Sequence, residues 1–167
     1  MNASFHAGVE YRSYSSAGDS VSPTFEADVG YILGRRSSIG WFANYGLQPA
    51  HIVGSAQRTT FRTGINGRYN WTARISSSIG VIYEHDDYGN PSGSSITGPS
   101  TSQDTINLVL SARYAVTRYF GIQVGYNFTD VISNQALGVG VPPGFASGGA
   151  LQSYTRNRIS AGIDFTF

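Results

Sequence analysis

Apolar and polar residues alternate with a period of two in eight separate stretches of this chain, and no stretch carries the 3.6-residue period of an amphipathic helix. The stretches cover residues 3–14, 24–33, 38–48, 58–69, 73–84, 104–114, 119–129 and 154–167. Successive side chains of an extended chain point to opposite faces, so period two predicts a β-strand with two unlike faces. In the second stretch Phe25, Ala27, Val29, Tyr31 and Leu33 share one parity, and Glu26, Asp28 and Gly30 take the other. Over all eight, the apolar parity carries no charge apart from Asp104, the first residue of the sixth stretch. The opposite parity carries Glu10, Arg12, Glu26, Asp28, Arg62, Arg68, Glu84, Arg113, Arg158 and Asp164.

Connections between the stretches alternate long and short, beginning with a long one. Each stretch is about ten residues, the length of a tilted strand crossing a bilayer. The pattern predicts an all-β, eight-stranded antiparallel up-and-down transmembrane β-barrel, one domain over residues 1–167, with the charged parity inside. A barrel in water would need the reverse arrangement. The inward charges are expected to form a packed network of Arg–carboxylate pairs, because eight strands leave room for little but side chains.

Composition supports the same assignment. Charged residues make up 13% of the chain, about half the ~25% of ordinary soluble domains. All 11 basic residues are Arg, whose planar fork suits fixed pairs with carboxylates. A net charge of +1 gives no reason to expect a nucleic-acid partner. The chain has no Cys, no apolar run near the ~20 residues of a membrane helix, and no secretory signal at Met1-Asn2-Ala3. If exported, it is expected to be a mature segment with an added initiator Met. The histidines His6, His51 and His85 have no metal-ligand spacing, so neither metal nor cofactor is expected.

Aromatic residues of the apolar parity sort by depth. Tyr31, Trp41, Tyr69 and Tyr114, with Phe5, Phe120, Phe165 and Phe167, gather toward the short turns. Tyr11, Tyr45, Tyr83 and Tyr126, with Phe25, Phe61 and Phe128, gather toward the long connections. Two such rings match the aromatic girdles that sit where hydrocarbon meets headgroup.

The last eight residues, Ser160 to Phe167, end on Gly162, Phe165 and the terminal Phe167. Their spacing resembles the signal that hands bacterial outer-membrane barrels to their assembly machinery. The hairpins Tyr31–Arg36, Tyr69–Arg74 and Tyr114–Tyr119 echo one another, and with Gly125–Asp130 they resemble the putative outer-membrane porin families. The architecture resembles the small outer-membrane protein A and X type barrels. The resemblance implies a Gram-negative outer membrane, lipid and the barrel-assembly machinery as partners, a monomer, and long loops able to take an extracellular ligand. It leaves open a full-length protein, the C-terminal part of a wider barrel, or an engineered small one.

Three functions follow from this reading. The first is a non-enzymatic structural or surface-interaction role. The second is a narrow porin-like passive channel, or a piece of a larger porin. The third is an outer-membrane lipid-modifying enzyme using His85-Asp86-Asp87 and the loop Ser92 to Ser102, although no catalytic constellation is complete.

Overall fold

Each alternating stretch forms a strand, and each strand pairs antiparallel with the next in sequence, giving one eight-stranded up-and-down sheet. This computed structural model describes residues 1–14, 18–49, 57–88, 101–135 and 153–165. The strands are β1 (Asn2–Tyr14), β2 (Gly18–Leu33), β3 (Ser37–Pro49), β4 (Gln57–Asn70), β5 (Ile75–Tyr88), β6 (Thr101–Ala115), β7 (Phe120–Gln135) and β8 (Tyr154–Phe165).

The short turns explain the repeated hairpin sequence. Three residues after Tyr31, Gly34 adopts φ 70°, a conformation that costs an L side chain strain. Thr72 stands in the same place after Tyr69, and its hydroxyl accepts from the Arg74 and Ile75 amides at 3.1 and 3.0 Å. Thr117 does likewise after Tyr114, accepting from the Tyr119 amide at 3.2 Å. At the same position one turn thus uses a glycine's conformational freedom and the other two a hydroxyl that accepts from backbone amides.

Strand bounds differ from the expectation at the end away from these turns. β2 begins at residue 18 instead of 24, β5 runs to 88 instead of 84, β6 begins at 101, and β7 runs to 135 instead of 129. His85-Asp86-Asp87 therefore lies in a strand and not in a loop. The cause is visible in the pattern, since Glu84, Asp86 and Tyr88 continue the polar parity past the aromatic ring.

The barrel closure that the alternation predicts is not made. Among the described residues β1 pairs only with β2, and β8 only with β7, so both are edge strands of the sheet. Among the described residues no second layer covers either face. Phe5 is 65% exposed, Ile79 51% and Ile159 79%. Ala27, Ala43 and Leu47 are shadowed on the apolar face, and Ser22, Thr60, Asp86, Tyr88, Thr129 and Val131 on the other. A strongly twisted open sheet is saddle-shaped, and each face here has a hollow. That on the apolar face, about 660 Å³, runs from Leu33 and Ile39 past Leu110 to Ile159. That on the charged face, about 630 Å³, lies across β1 to β5.

Candidate functional site

The charged face is built by registry. His6, Glu26, Asn44, Arg62, Glu84 and Thr105 fall opposite one another in a line across β1 to β6. Arg62 stands opposite Glu84, with its Nε 3.7 Å from the carboxylate, and its guanidinium lies 5.7 Å from the centre of the Phe42 ring. Phe42 is the one large aromatic the pattern put on this face in β3, and it fits because the residue opposite it is Gly64. A Cβ there would come within 2.7 Å of the Phe42 ring and 2.9 Å of the Val81 carbonyl.

Toward the outer end, away from the short turns, Arg58 donates to Asp86 at 2.5 Å, and the Thr60 hydroxyl donates to the same carboxylate at 2.6 Å. Tyr88 closes this knot, 3.5 Å from Arg58 and 3.4 Å from Gln103. Arg12 bonds Glu10 at 2.5 Å and the Leu47 carbonyl at 2.9 Å. At the turn end Arg113 pairs with Asp164 at 2.9 Å. Between these lie neutral pairs: Ser78 with Ser111 at 2.7 Å, and Asn127 donating to Asn107 at 2.9 Å.

Of the ten charges read from the sequence as one inward network, Glu10, Arg12, Arg62, Glu84, Arg113 and Asp164 form ion pairs. Glu26, Asp28, Arg68 and Arg158 form none among the described residues. The sequence reading missed the Arg58–Thr60–Asp86–Tyr88 knot. Its signal was the continued alternation Arg58, Thr60, Arg62 facing Glu84, Asp86, Tyr88.

On the apolar face the aromatic residues stand outward, among them Tyr11 (62% exposed), Tyr31 (48%) and Phe165 (66%). Several carry their polar end to a partner. Trp41 donates to the Thr63 hydroxyl at 3.1 Å, and Tyr126 to Asn157 at 2.7 Å. Tyr45, Tyr69 and Tyr114 are also exposed. Tyr69 meets Trp71 edge-on at 4.8 Å, and Phe120 meets Phe165 at 5.3 Å. Of the C-terminal signal residues, Gly162 and Phe165 lie in edge strand β8, and Phe167 lies outside the described residues.

Beyond this ring the apolar parity ends in charge, at Asp87, Asp104 and Asp130. Asp104 accepts from the Tyr83 hydroxyl at 2.6 Å and stands 2.8 Å from the His85 Nδ1. A His–carboxylate pair orients an imidazole for base catalysis, but no serine hydroxyl bonds that ring among the described residues. No group of three His, Cys, Asp or Glu among those residues is placed to hold a metal. The loop Ser92 to Ser102 falls mostly outside the described residues, as do His51 and the long connections expected to meet an extracellular ligand. No family model, curated protein or solved structure matches the chain.

Proposed function

We propose that this chain is an integral outer-membrane β-barrel with a structural or surface-interaction role, its sheet closed in lipid with the charged face inward. One observation carries the reading: the two faces differ in bulk as well as polarity. The charged face holds Gly8, Gly30, Gly40, Gly46, Gly64, Gly80, Gly121, Gly125 and Gly162, and the apolar face holds most of the large aromatics, with Phe42, Tyr88 and Tyr154 on the charged one. An eight-stranded barrel has an interior only wide enough for side chains. Gly, Ser and paired Arg–carboxylate groups fit that space; Trp41, Tyr45, Phe61 and Tyr83 together do not.

Energetics favour the same sidedness. An uncharged face of Ile, Val, Leu and Phe costs nothing in hydrocarbon, whereas in water it is a single layer of exposed apolar surface. From Tyr114 to Ile106 the uncharged face runs eight residue steps along β6, roughly 27 Å at ~3.4 Å per residue. At a tilt of ~40° that spans about 20 Å of depth, most of the ~25 Å apolar band of such barrels. The C-terminal resemblance adds the bacterial outer membrane, its lipid and its assembly machinery as the partners, with the barrel acting as a monomer.

A second reading, a narrow passive channel, is favoured by the hollow of about 630 Å³ lined by His6, Glu10, Glu26, Arg58, Arg62 and Glu84. A planar-bilayer recording of protein refolded into lipid vesicles separates the two. A heat-modifiable, β-rich monomer without conductance supports the filled barrel. Discrete steps that change with Arg62→Gln make it a channel. A detergent-free, water-soluble monomer that takes an apolar dye into the Leu33–Ile159 hollow would overturn both readings.

A further inference from the structure

We infer that the two free edges, β1 and β8, are each other's partner in one register, with Phe5 opposite Phe165, Ala7 opposite Ile163 and Val9 opposite Ala161. This rests on the membrane reading and deepens it. Each edge presents a strand of 13 or 12 residues that pairs with a single neighbouring strand among the described residues. Hydrocarbon offers no partner to an unsatisfied backbone group, so a sheet entering lipid must close.

Two constraints leave few ways to do so. The shift around the barrel must be even, because an odd shift would turn the apolar parity of one strand inward. A tilt of 35–45° allows a shift of about 8, 10 or 12 residues for eight strands. The aromatic rings choose among these, since residues of one ring lie at one depth and their drift across the registers measures the stagger. Tyr31 stands opposite Ile39, which stands opposite Gly67, yet the next tyrosine of that ring is Tyr69. Tyr69 leads through Ser77 to Ala112, and the next is Tyr114. The ring near the short turns thus drifts four residues over four strands. In the ring near the long connections Tyr45 leads through Phe61 to His85, two residues from Tyr83. Tyr83 leads through Ile106 to Asp130, four residues from Tyr126. That is six over four strands, and each of these tyrosine steps goes toward the short turns, while Trp41 stands two residues from Ile39 on the other side. The mean, five over four strands, is ten around eight.

The line of facing residues that starts at His6 runs on from Thr105 through Val131 to Tyr154. A shift of ten moves Tyr154 from the level of residue 6 to that of residue 16, which sets Phe165 opposite Phe5. The side chains suit this register. His6 meets Asp164, the two cavity-side glycines Gly8 and Gly162 face each other, and Phe5 joins the Phe120–Phe165 contact. Arg12 comes opposite Arg158, with Glu10, already bonded to Arg12, beside them. A shift of eight would instead set Glu10 opposite Arg158, so charge alone would choose differently from depth.

The chain has no cysteine, which makes paired cysteines a clean ruler. Ala161→Cys is combined in turn with Ala7→Cys, Val9→Cys and Tyr11→Cys, the facing pairs for shifts of eight, ten and twelve. Each variant is refolded into lipid vesicles, oxidised, and analysed by non-reducing gel and peptide mass. Directly opposed Cβ atoms lie ~4.5–5.5 Å apart and diagonal ones farther, so the Val9/Ala161 pair is expected to cross-link within one chain about tenfold more than the others. Ala7→Cys with Ile163→Cys repeats the test at the neighbouring pair of the same register. Dominant cross-linking of the Ala7/Ala161 or Tyr11/Ala161 pair overturns the register and leaves the barrel standing. Cross-links between chains, or none in protein that is still protease-protected in vesicles, overturn the edge partnership. Reduced variants that never become heat-modifiable or vesicle-bound sink the membrane reading itself.

Discussion

Replacing Asp86 by Ala tests whether the charged face is a packed interior. Asp86 is 3% exposed and accepts from Arg58 at 2.5 Å and Thr60 at 2.6 Å. Removing one partner of a fully buried ion pair costs about 3–5 kcal/mol, because the other charge stays behind uncompensated. Arg58 keeps 21% of its side-chain exposure and has Tyr88 at 3.5 Å, which lowers that penalty. The stranded Thr60 hydroxyl, in a residue 8% exposed, adds about 1 kcal/mol. A loss of about 2–3 kcal/mol follows, which at a urea slope of ~1–3 kcal/mol per M lowers the midpoint by roughly 0.7–3 M. The assay is urea unfolding of protein refolded in micelles, followed by Trp41 and Trp71 fluorescence and by far-UV circular dichroism. Adding Arg58→Met to the Asp86→Ala protein removes the stranded charge and is expected to restore most of the loss. A change under about 0.5 kcal/mol in the single variant, or a double variant no better than the single, would refute the packed interior.

Gly64→Ala drives a Cβ against Phe42 and the Val81 carbonyl, and an unfolding titration is expected to show a loss of about 1–3 kcal/mol, partly recovered by Phe42→Leu. Ile79→Arg, at mid-depth of the apolar face, is expected to cost about 2–4 kcal/mol in vesicles, whereas Gln123→Arg on the charged face costs less; equal losses would argue against lipid on the apolar side. With phospholipids brominated along their acyl chains, Trp41 is expected to be quenched most by bromines near the headgroups, and uniform quenching at all depths would place it outside an interfacial ring.

Much of this architecture was legible in the residues. Period two marks all eight strands because a strand's faces are set by neighbouring residues alone. The short turns were legible through Tyr31-Ile32-Leu33-Gly34 and its two echoes, where a left-handed glycine or a threonine hydroxyl supplies what the backbone requires. Strand ends were less so. Beyond Tyr83 the apolar parity turns to His85 and Asp87, and a reading tuned to membrane-facing residues stops there although the ladder continues through Tyr88. The knot around Asp86 was missed for that reason.

The sequence by itself determined that there are two faces, which residues stand on each, and the up-and-down order, because these depend on parity and on connection length. Only the tertiary structure decided which charge meets which. Arg62 reaches Glu84 and Arg113 reaches Asp164 because of the registers of β4 with β5 and of β6 to β8, while Glu26, Asp28, Arg68 and Arg158 stand without an ion pair among the described residues. Register couples residues far apart in the chain, and alternation alone leaves any even slip open. The open β1 and β8 edges belong to the same level, since their meeting depends on a stagger accumulated over all eight strands.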